Sequence, residues 1–156
     1  MKVREFMKQR VISIRSDATI GMAVDLFRKH HIGTLPIVDA EGHLVGIIRL
    51  RDLLTLVMPD FTHLISRFEF VHDFGAMEFR SPDPEQFQRP VSEIMNDPIC
   101  AEADSGLLRA AALIRQNNLI DLPIVDKNNV LVGLASHVDM GIALISHWDL
   151  TTNKSK

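Results

Sequence analysis

The amino-acid sequence predicts a mixed α/β fold that contains two copies of one structural unit. The string Leu-Pro-Ile-Val-Asp occurs at residues 35–39 and again at residues 122–126. A glycine and then an aspartate follow each copy, and their distances from the copy are the same in both cases. A constant offset without gaps indicates a true internal repeat. The equivalent pairs are all 87 positions apart in the sequence: Pro36 and Pro123, Gly46 and Gly133, Asp52 and Asp139.

Each copy of the repeat begins with a related motif, Val-x-Glu, an apolar residue and Met, at residues 3–7 and 91–95, where the offset is 88. One such unit is too small to bury the apolar face of its own sheet, so we expect the two units to pack together with pseudo-twofold symmetry. We divide the chain into repeat 1 (1–58), an insertion (59–89), repeat 2 (90–148) and a C-terminal tail (149–156).

Within each repeat the pattern predicts a short strand, a helix, two strands joined by a hairpin turn, and a second helix. Apolar residues at helical spacing mark the first helix of each copy. Short apolar, β-branched runs mark the strands, with the proline expected at the start of its strand. The residues used are Ile20, Ala23, Val24 and Phe27 with Leu107, Ala110, Ala111 and Ile114 for the helices, Glu41-Gly42 and Asn128-Asn129 for the turns, Asp17 and Asp104 as expected helix caps, and Asp52 and Asp139 at the start of the second helices.

Composition excludes several classes of function. The net charge is −3 and no long basic run occurs, which argues against a nucleic-acid groove. No stretch approaches the roughly 20 apolar residues that cross a bilayer, so we expect no membrane association. The N-terminal residues lack the apolar core of a secretion signal, and the single cysteine fits a reducing compartment. These features favour a cytoplasmic location.

The sequence also lacks the motifs that accompany common catalytic chemistry. No glycine-rich dinucleotide or phosphate-binding loop and no nucleophile elbow is present. His30 and His31 are adjacent and would diverge on a helix, and no cluster has metal-ligand spacing. Cys100 has no evident base partner, so a small core residue is the better interpretation. We therefore expect neither an enzyme nor a bound metal, and no required cofactor.

The two strings LPIVDAEGHLVGIIRLRD and LPIVDKNNVLVGLASHVD resemble the tandem CBS-domain pair, or Bateman module, of CBS domain-containing proteins. The resemblance covers both repeats. It implies two β-α-β-β-α units and a regulatory role without catalysis. It also implies an adenine nucleotide, such as AMP, ADP, ATP or a related adenosyl compound, as a regulatory ligand in clefts between the repeats.

Ser136 and Asp139 are the strongest candidate ligand contacts of a first site. A carboxylate accepts two hydrogen bonds at once, so Asp139 can bind both hydroxyls of a ribose, and Ser136 can donate to a ribose or phosphate oxygen. A simple helix-capping pair is the alternative for these two residues. The resemblance implies that the opposite repeat completes this site, with Ser13, Ala18, Ile32, Gly33 and Thr34.

A second site would depart from the family pattern because Arg49 stands where the first site has Ser136. Arg49 can grip a phosphate, or it can fill the pocket and pair with Asp52 or Asp121. Acids beside a nucleotide phosphate would repel it, so we expect this site to be impaired or altered. Its further residues, carried over by position, are Cys100, Leu119 and Ile120.

Two features favour assembly with other chains. The resemblance implies a homodimer formed through helices, for which the apolar residues Leu53, Leu56, Met140 and Leu144 are suited. The insertion holds six of the eight phenylalanines, and the stripe Phe61, Leu64, Ile65 and Phe68 predicts a buried helix that contacts either the module's own core or another chain. Residues 81–85 should form an exposed, mobile loop. A ligand-independent dimerisation or scaffold module is therefore the alternative to a nucleotide sensor with an unknown protein target.

Overall fold

The computed structural model describes residues 1–56 and 81–148. Each repeat has the predicted order of strand, helix, strand, strand and helix. Repeat 1 contains β1 (Ile14–Arg15), α1 (Ile20–His30), β2 (Thr34–Val38), β3 (Leu44–Arg49) and α2 (Leu50–Leu54). Repeat 2 contains β4 (Ala101–Glu102), α3 (Leu107–Gln116), β5 (Asp121–Val125), β6 (Leu131–Ser136) and α4 (His137–Ile145). Short 3-10 turns occur at Val3–Glu5, Pro84–Gln88 and Val91–Glu93.

The strands form two three-stranded sheets, ordered β1-β2-β3 and β4-β5-β6. In each sheet the short first strand pairs parallel with the middle strand, and the last two strands form an antiparallel hairpin. The predicted turn residues Gly42 and Asn129 adopt positive φ angles of 88° and 62°. A glycine or asparagine tolerates this conformation best, so the hairpin turns follow directly from the local sequence.

The two strand prolines were expected at the start of their strands, but each is the third residue of its strand. Pro36 is the third residue of β2 and pairs with Ile47 of β3. It is tolerated there because β1 reaches only Ile37 and Val38, so β2 is an edge strand at Pro36. Pro123 occupies the equivalent place in β5.

The apolar faces of α1 and α3 are buried as predicted, but the expected aspartate caps are wrong. Thr19 caps α1 by accepting a hydrogen bond from the Met22 N–H at 3.3 Å. Gly106 precedes α3 and offers no side-chain cap. The aspartates lie two residues too early to cap, and each binds an arginine instead: Asp17 with Arg15, and Asp104 with Arg4.

The leading segments of the two repeats, residues 1–8 and 90–96, are exchanged between the sheets. Val3 is fully buried in the core of repeat 2, and its N–H donates to the Ser105 carbonyl at 3.0 Å. Val91 is buried in the core of repeat 1, where its N–H donates to the Ala18 carbonyl at 2.8 Å. Each compact unit therefore contains a segment that the sequence division assigns to the other repeat.

Glycines in β3 and β6 make room for this exchange. A methyl group on Gly46 would lie 3.0 Å from Cγ of Met95 and 3.2 Å from the Asn96 carbonyl oxygen. A methyl group on Gly133 would meet Met7 and the Lys8 carbonyl in the same way. The repeated glycine of the sequence thus marks the place where a leading segment crosses the opposite sheet.

The structure buries one of the residues that we expected at a dimer face. Met140 is only 1% exposed and belongs to the core of repeat 2, because it points back onto α3 and the sheet. The exposed apolar residues of α4 are instead Val138, Ile142 and Ile145. Leu53 packs against the core of repeat 1, and Leu50 and Leu54 are the exposed leucines of α2.

The predicted helical stripe from Phe61 to Phe68 lies outside the described residues. Of the loop at 81–85, four of the five residues are exposed, as expected, although a 3-10 turn begins at Pro84. None of the helices in the two described ranges combines the length and apolarity that a membrane crossing requires.

A candidate ligand cleft between the repeats

A cleft of about 310 Å³ opens where the leading segment of repeat 1 crosses repeat 2. A volume of this order is at the lower end of the range for small-molecule sites. Both repeats contribute to its walls, which mix apolar and charged side chains. We name this cavity the first cleft; the residues that matter for its chemistry are Lys8, Arg10, Val11, Ile12, Ile32, Gly33, Thr34, Ile120 and Asp121.

The first cleft contains residues predicted for both sites. Ile32, Gly33 and Thr34 were expected in the first site, whereas Ile120 and Asp121 were assigned to the second. Thr34 and Asp121 are the equivalent first residues of β2 and β5, and both line this cleft, so the two repeats meet here through equivalent positions. A methyl group on Gly33 would be 3.5 Å from Ile120 and 3.9 Å from the Asp121 carboxylate.

The remaining predicted residues lie elsewhere. Ser13 and Ala18 line a different cavity of about 610 Å³ beside α1, and Ala18 is buried. Cys100 lines the equivalent cavity of about 550 Å³ in repeat 2. Leu119 is a core residue of repeat 2. The cavities beside α1 and α3 are thus separate from the first cleft in the described part of the chain.

Ser136 and Asp139 form the capping pair that was the alternative to ligand binding. The Asp139 N–H donates to Ser136 Oγ at 3.0 Å, and the Ser136 hydroxyl donates to Asp139 Oδ2 at 2.7 Å. This reciprocal arrangement begins α4. The carboxylate keeps 28% side-chain exposure, and Lys8 Nζ lies 3.8 Å from its Oδ2 atom. Capping leaves Oδ1 open in the described residues, so the pair can cap the helix and still accept ligand hydroxyls.

The equivalent carboxylate of repeat 1 is held much more firmly. Arg49 Nε and Nη2 donate to the two oxygens of Asp52 at 2.9 Å each, and the Arg49 N–H adds a bond of 2.8 Å. Asn96 Nδ2 donates a further bond to Asp52 Oδ2 at 3.0 Å. Of the two roles open to Arg49, pairing with Asp52 is the one that the structure shows. Arg49, Asp52 and Asn96 are the repeat equivalents of Ser136, Asp139 and Lys8, and for this equivalence alone we name their surroundings the second cleft.

The protonation equilibria of the two regions shift in opposite directions. Burial by itself would raise the pKa of Asp52, but the hydrogen bonds and charge of Arg49 outweigh it and lower that pKa below its ordinary value. Burial raises the pKa of Asp121, and a hydrogen bond from Thr34 and the charges of Lys8 and His137 offset this only in part. Burial also raises the pKa of the Cys100 thiol, although Cys100 is only partly buried and lines a cavity instead of lying in the core as we expected.

Sequence reasoning missed Lys8, Arg10 and Asn96. A signal was available, because Lys8 and Asn96 directly follow the repeated Val-x-Glu-apolar-Met motif and are equivalent at an offset of 88. Lys8 pairs with Leu134 of β6, and Asn96 pairs with Ile47 of β3. Each therefore lies beside the aspartate that follows the strand it crosses. This required knowledge of the exchanged segments, which the linear repeat does not reveal.

The chain belongs to the CBS domain family, whose model matches residues 3–59 and 91–144. These two matches correspond closely to the two repeats.

Known proteins with similar sequences or structures include three informative cases. The uncharacterized protein MJ1404 of Methanocaldococcus jannaschii is 31% identical over 140 residues, which are 89% of this chain but 31% of that protein. The structure of CBSX2 from Arabidopsis thaliana in complex with AMP has a TM-score of 0.69 at 22% identity, covering 93% of this chain and 96% of that one. The CBS domain pair of protein MJ0100, in complex with 5-methylthioadenosine and S-adenosylmethionine, has a TM-score of 0.67 at 24% identity, covering 94% and 97%.

Proposed function

We propose that this chain is a regulatory module that binds an adenine nucleotide or related adenosyl compound in the first cleft. The observation that carries the proposal is a cleft lined from both repeats, in which Lys8 Nζ lies 3.8 Å from the partly exposed capping carboxylate of Asp139, whose other oxygen is open. The AMP and adenosyl compounds bound to proteins of the same fold support the choice of ligand. The target protein that would respond stays unassigned, and the cytoplasmic location stays a prediction.

The mechanism that we infer is a shift in the relative orientation of the repeats. A ligand that touches Gly33 of one repeat and Asp139 of the other favours the orientation in which both contacts form. Such a ligand changes the surface that the module presents to a partner. The size of the change is limited by the difference in ligand affinity between the two orientations.

Isothermal titration calorimetry with AMP, ATP, S-adenosylmethionine and cyclic di-AMP tests the proposal. We expect saturable binding of at least one adenosyl compound. We expect one ligand per chain, because Arg49 already binds the Asp52 carboxylate in the second cleft. Absence of heat and of any thermal stabilisation with all four compounds would refute a nucleotide sensor. Binding of two equivalent ligands per chain would refute the inferred difference between the clefts.

A ligand-independent assembly module is the second candidate, and the exposed apolar stripe of α4 favours it. Val138, Ile142 and Ile145 are 54%, 58% and 45% exposed and lie at helical spacing. Under either function we predict a homodimer in solution. Light scattering at tens of micromolar protein measures this directly, and a monomer mass would contradict it.

A further inference from the structure

Met7 and Met95 occupy equivalent positions where the leading segments cross β6 and β3. Each is the last residue of the repeated Val-x-Glu-apolar-Met motif, and each packs against the glycine of the strand that is crossed. A methyl group on Gly46 would lie only 2.6 Å from Met95 Sδ, and one on Gly133 would be closer still to Met7 Sδ. The two thioethers therefore fill the space that the missing side chains of these glycines leave.

Backbone hydrogen bonds hold each methionine in this position. Lys8, which follows Met7, exchanges two hydrogen bonds of 2.9 Å with the backbone of β6. Asn96, which follows Met95, exchanges hydrogen bonds of 3.0 Å and 2.9 Å with the backbone of β3. The segment and the strand cannot move apart without losing these bonds, so each crossing resists a change in the shape of its methionine.

The backbone oxygens beside the two sulfur atoms would not accommodate a further oxygen. The carbonyl oxygens of Lys8 and Asn96 lie 3.2 Å from the positions that methyl groups on the two glycines would take. Both carbonyls already accept a hydrogen bond from the strand that is crossed. A methionine sulfoxide is more polar than the thioether, and its oxygen is an acceptor that these carbonyls would repel.

Met7 and Met95 are intermediate in solvent access among the described methionines. Both are partly buried, Met7 against the core of repeat 2 and Met95 against the core of repeat 1. Met140 is only 1% exposed, whereas Met1 and Met22 are 51% and 56% exposed. A small oxidant can thus reach the two crossings while the fold is intact, which is not the case for Met140.

We propose that Met7 and Met95 make the packing of the two repeats sensitive to hydrogen peroxide. Oxidation of both side chains to sulfoxides loosens the crossings, and a methionine sulfoxide reductase restores them. The inference concerns the fold itself, so it holds whether or not the first cleft binds a ligand.

The oxidation needs only the thioether and the peroxide. A lone pair of the sulfur attacks one oxygen of hydrogen peroxide, an S–O bond forms and the O–O bond breaks. The departing hydroxide takes up the proton of the transferred oxygen and leaves as water. The sulfur loses two electrons and the peroxide gains them.

Peroxide treatment of the full chain in a Cys100→Ala background tests the proposal, since that background lacks the thiol. Peptide mass spectrometry identifies the oxidised methionines, and urea unfolding measures stability on the same samples. Sulfoxides at Met1 and Met22 should form first and leave the unfolding midpoint nearly unchanged. Sulfoxides at Met7 and Met95 should then lower it by about 1 M urea, the scale of overpacking in a small protein. Treatment with a methionine sulfoxide reductase should restore the midpoint.

Leucine variants in the same background separate the crossings from the other methionines. Leucine has a similar volume and no sulfur, so Met7→Leu with Met95→Leu should fold and should lose the response to peroxide. The matched control, Met22→Leu with Met58→Leu and Met77→Leu, should keep the full response. If the double variant does not fold, Met7→Leu and Met95→Leu are made singly, and each should keep about half of the shift, because each crossing contributes separately.

Three results would overturn the proposal. The first is an unchanged midpoint in protein that carries sulfoxides at both Met7 and Met95. The second is a full peroxide response in the double leucine variant, or in both single variants. The third is oxidation of Met7 and Met95 no faster than that of Met140, which would show that peroxide reaches them only after unfolding.

Discussion

The two clefts are formed by equivalent parts of the backbone, but their aspartates, Asp52 and Asp139, have different hydrogen-bond partners. Asp52 is bound by the Arg49 side chain, the Arg49 backbone and Asn96, and it is 19% exposed. Asp139 is bound by Ser136 and only distantly by Lys8, and it is 28% exposed. The residue at the end of the strand, arginine or serine, therefore accounts for most of the difference in how the two aspartates are hydrogen-bonded within the protein, and Asn96 in place of Lys8 adds to it.

The largest expected effect is a loss of ligand affinity when Asp139, rather than Asp52, is replaced. Asp139→Ala should weaken binding of an adenosine nucleotide by about 1.5–3 kcal/mol, the range for a hydrogen bond to a charged group. Asp52→Ala should weaken it less, because Asp52 is already bound to Arg49. Calorimetry measures both, with thermal unfolding as a check because Asp139 also caps α4. Equal losses in the two variants would abolish the distinction between the clefts.

Gly46 and Gly133, the glycines where the leading segments cross β3 and β6, allow the two clefts to be compared by protein stability. Gly46→Ala and Gly133→Ala should each reduce the free energy of unfolding by about 1–3 kcal/mol, because the new methyl overpacks a methionine and a fixed backbone. Gly133→Ala should also weaken ligand binding, since it displaces the segment that carries Lys8. Gly46→Ala acts on the second cleft and should leave binding nearly unchanged.

Gly141 provides the matched control for these two substitutions. It lies inside α4, and a methyl group there would meet no atom within 4 Å in the described structure. Gly141→Ala should therefore stabilise the protein by about 0.5–1 kcal/mol, as expected for alanine within a helix. Denaturant unfolding gives all three values. A stabilising effect of alanine at Gly46 or Gly133 would show that the crossing is not tightly packed.

The pH dependence of stability should have opposite signs in the two regions. The lowered pKa of Asp52 means that its stabilisation is fully present above its ordinary value of 3.8 and is lost as pH falls through the lowered folded value. Asp52→Asn should therefore cost about 1–2 kcal/mol at pH 7 and progressively less in acid. The raised pKa of Asp121 means that ionisation disfavours folding above that raised value, so Asp121→Asn should stabilise the protein at pH 7.

Thermal unfolding of both variants and the wild type between pH 3 and pH 7 checks these signs. The stabilisation by Asp121→Asn should disappear below about pH 3.8, where the carboxyl is protonated in both the folded and unfolded states. A destabilised Asp121→Asn protein at pH 7 would contradict this expectation and would mean that the charge of Asp121 stabilises the fold.

The smallest expected effect is a gain of binding in the second cleft. Arg49→Ser reproduces the residue of repeat 2 and releases Asp52 from its strongest partner. We expect a second, weaker binding event by calorimetry, so that the stoichiometry rises from one to two ligands per chain. Asn96 still contacts Asp52 in this variant, which keeps the new affinity low. An unchanged stoichiometry would show that Arg49 is not what closes the second cleft.

The sequence alone predicts the two β-α-β-β-α units, the hairpin turns at Gly42 and Asn129, and the capping pair of Ser136 and Asp139. These features depend on residues within a few positions of one another, where periodicity and turn chemistry act directly. The difference between Arg49 and Ser136 was equally visible, because the repeat places them at equivalent positions.

Which residues share a cleft depends on the packing of the two repeats. The exchange of the leading segments brings Lys8 to Asp139 and Asn96 to Asp52 over more than 40 residues of sequence. The pseudo-twofold packing places Asp121 beside Thr34 and Gly33, in the first cleft rather than the second. Such contacts arise from the packing of two units that cannot bury their sheets alone, and no local pattern encodes them.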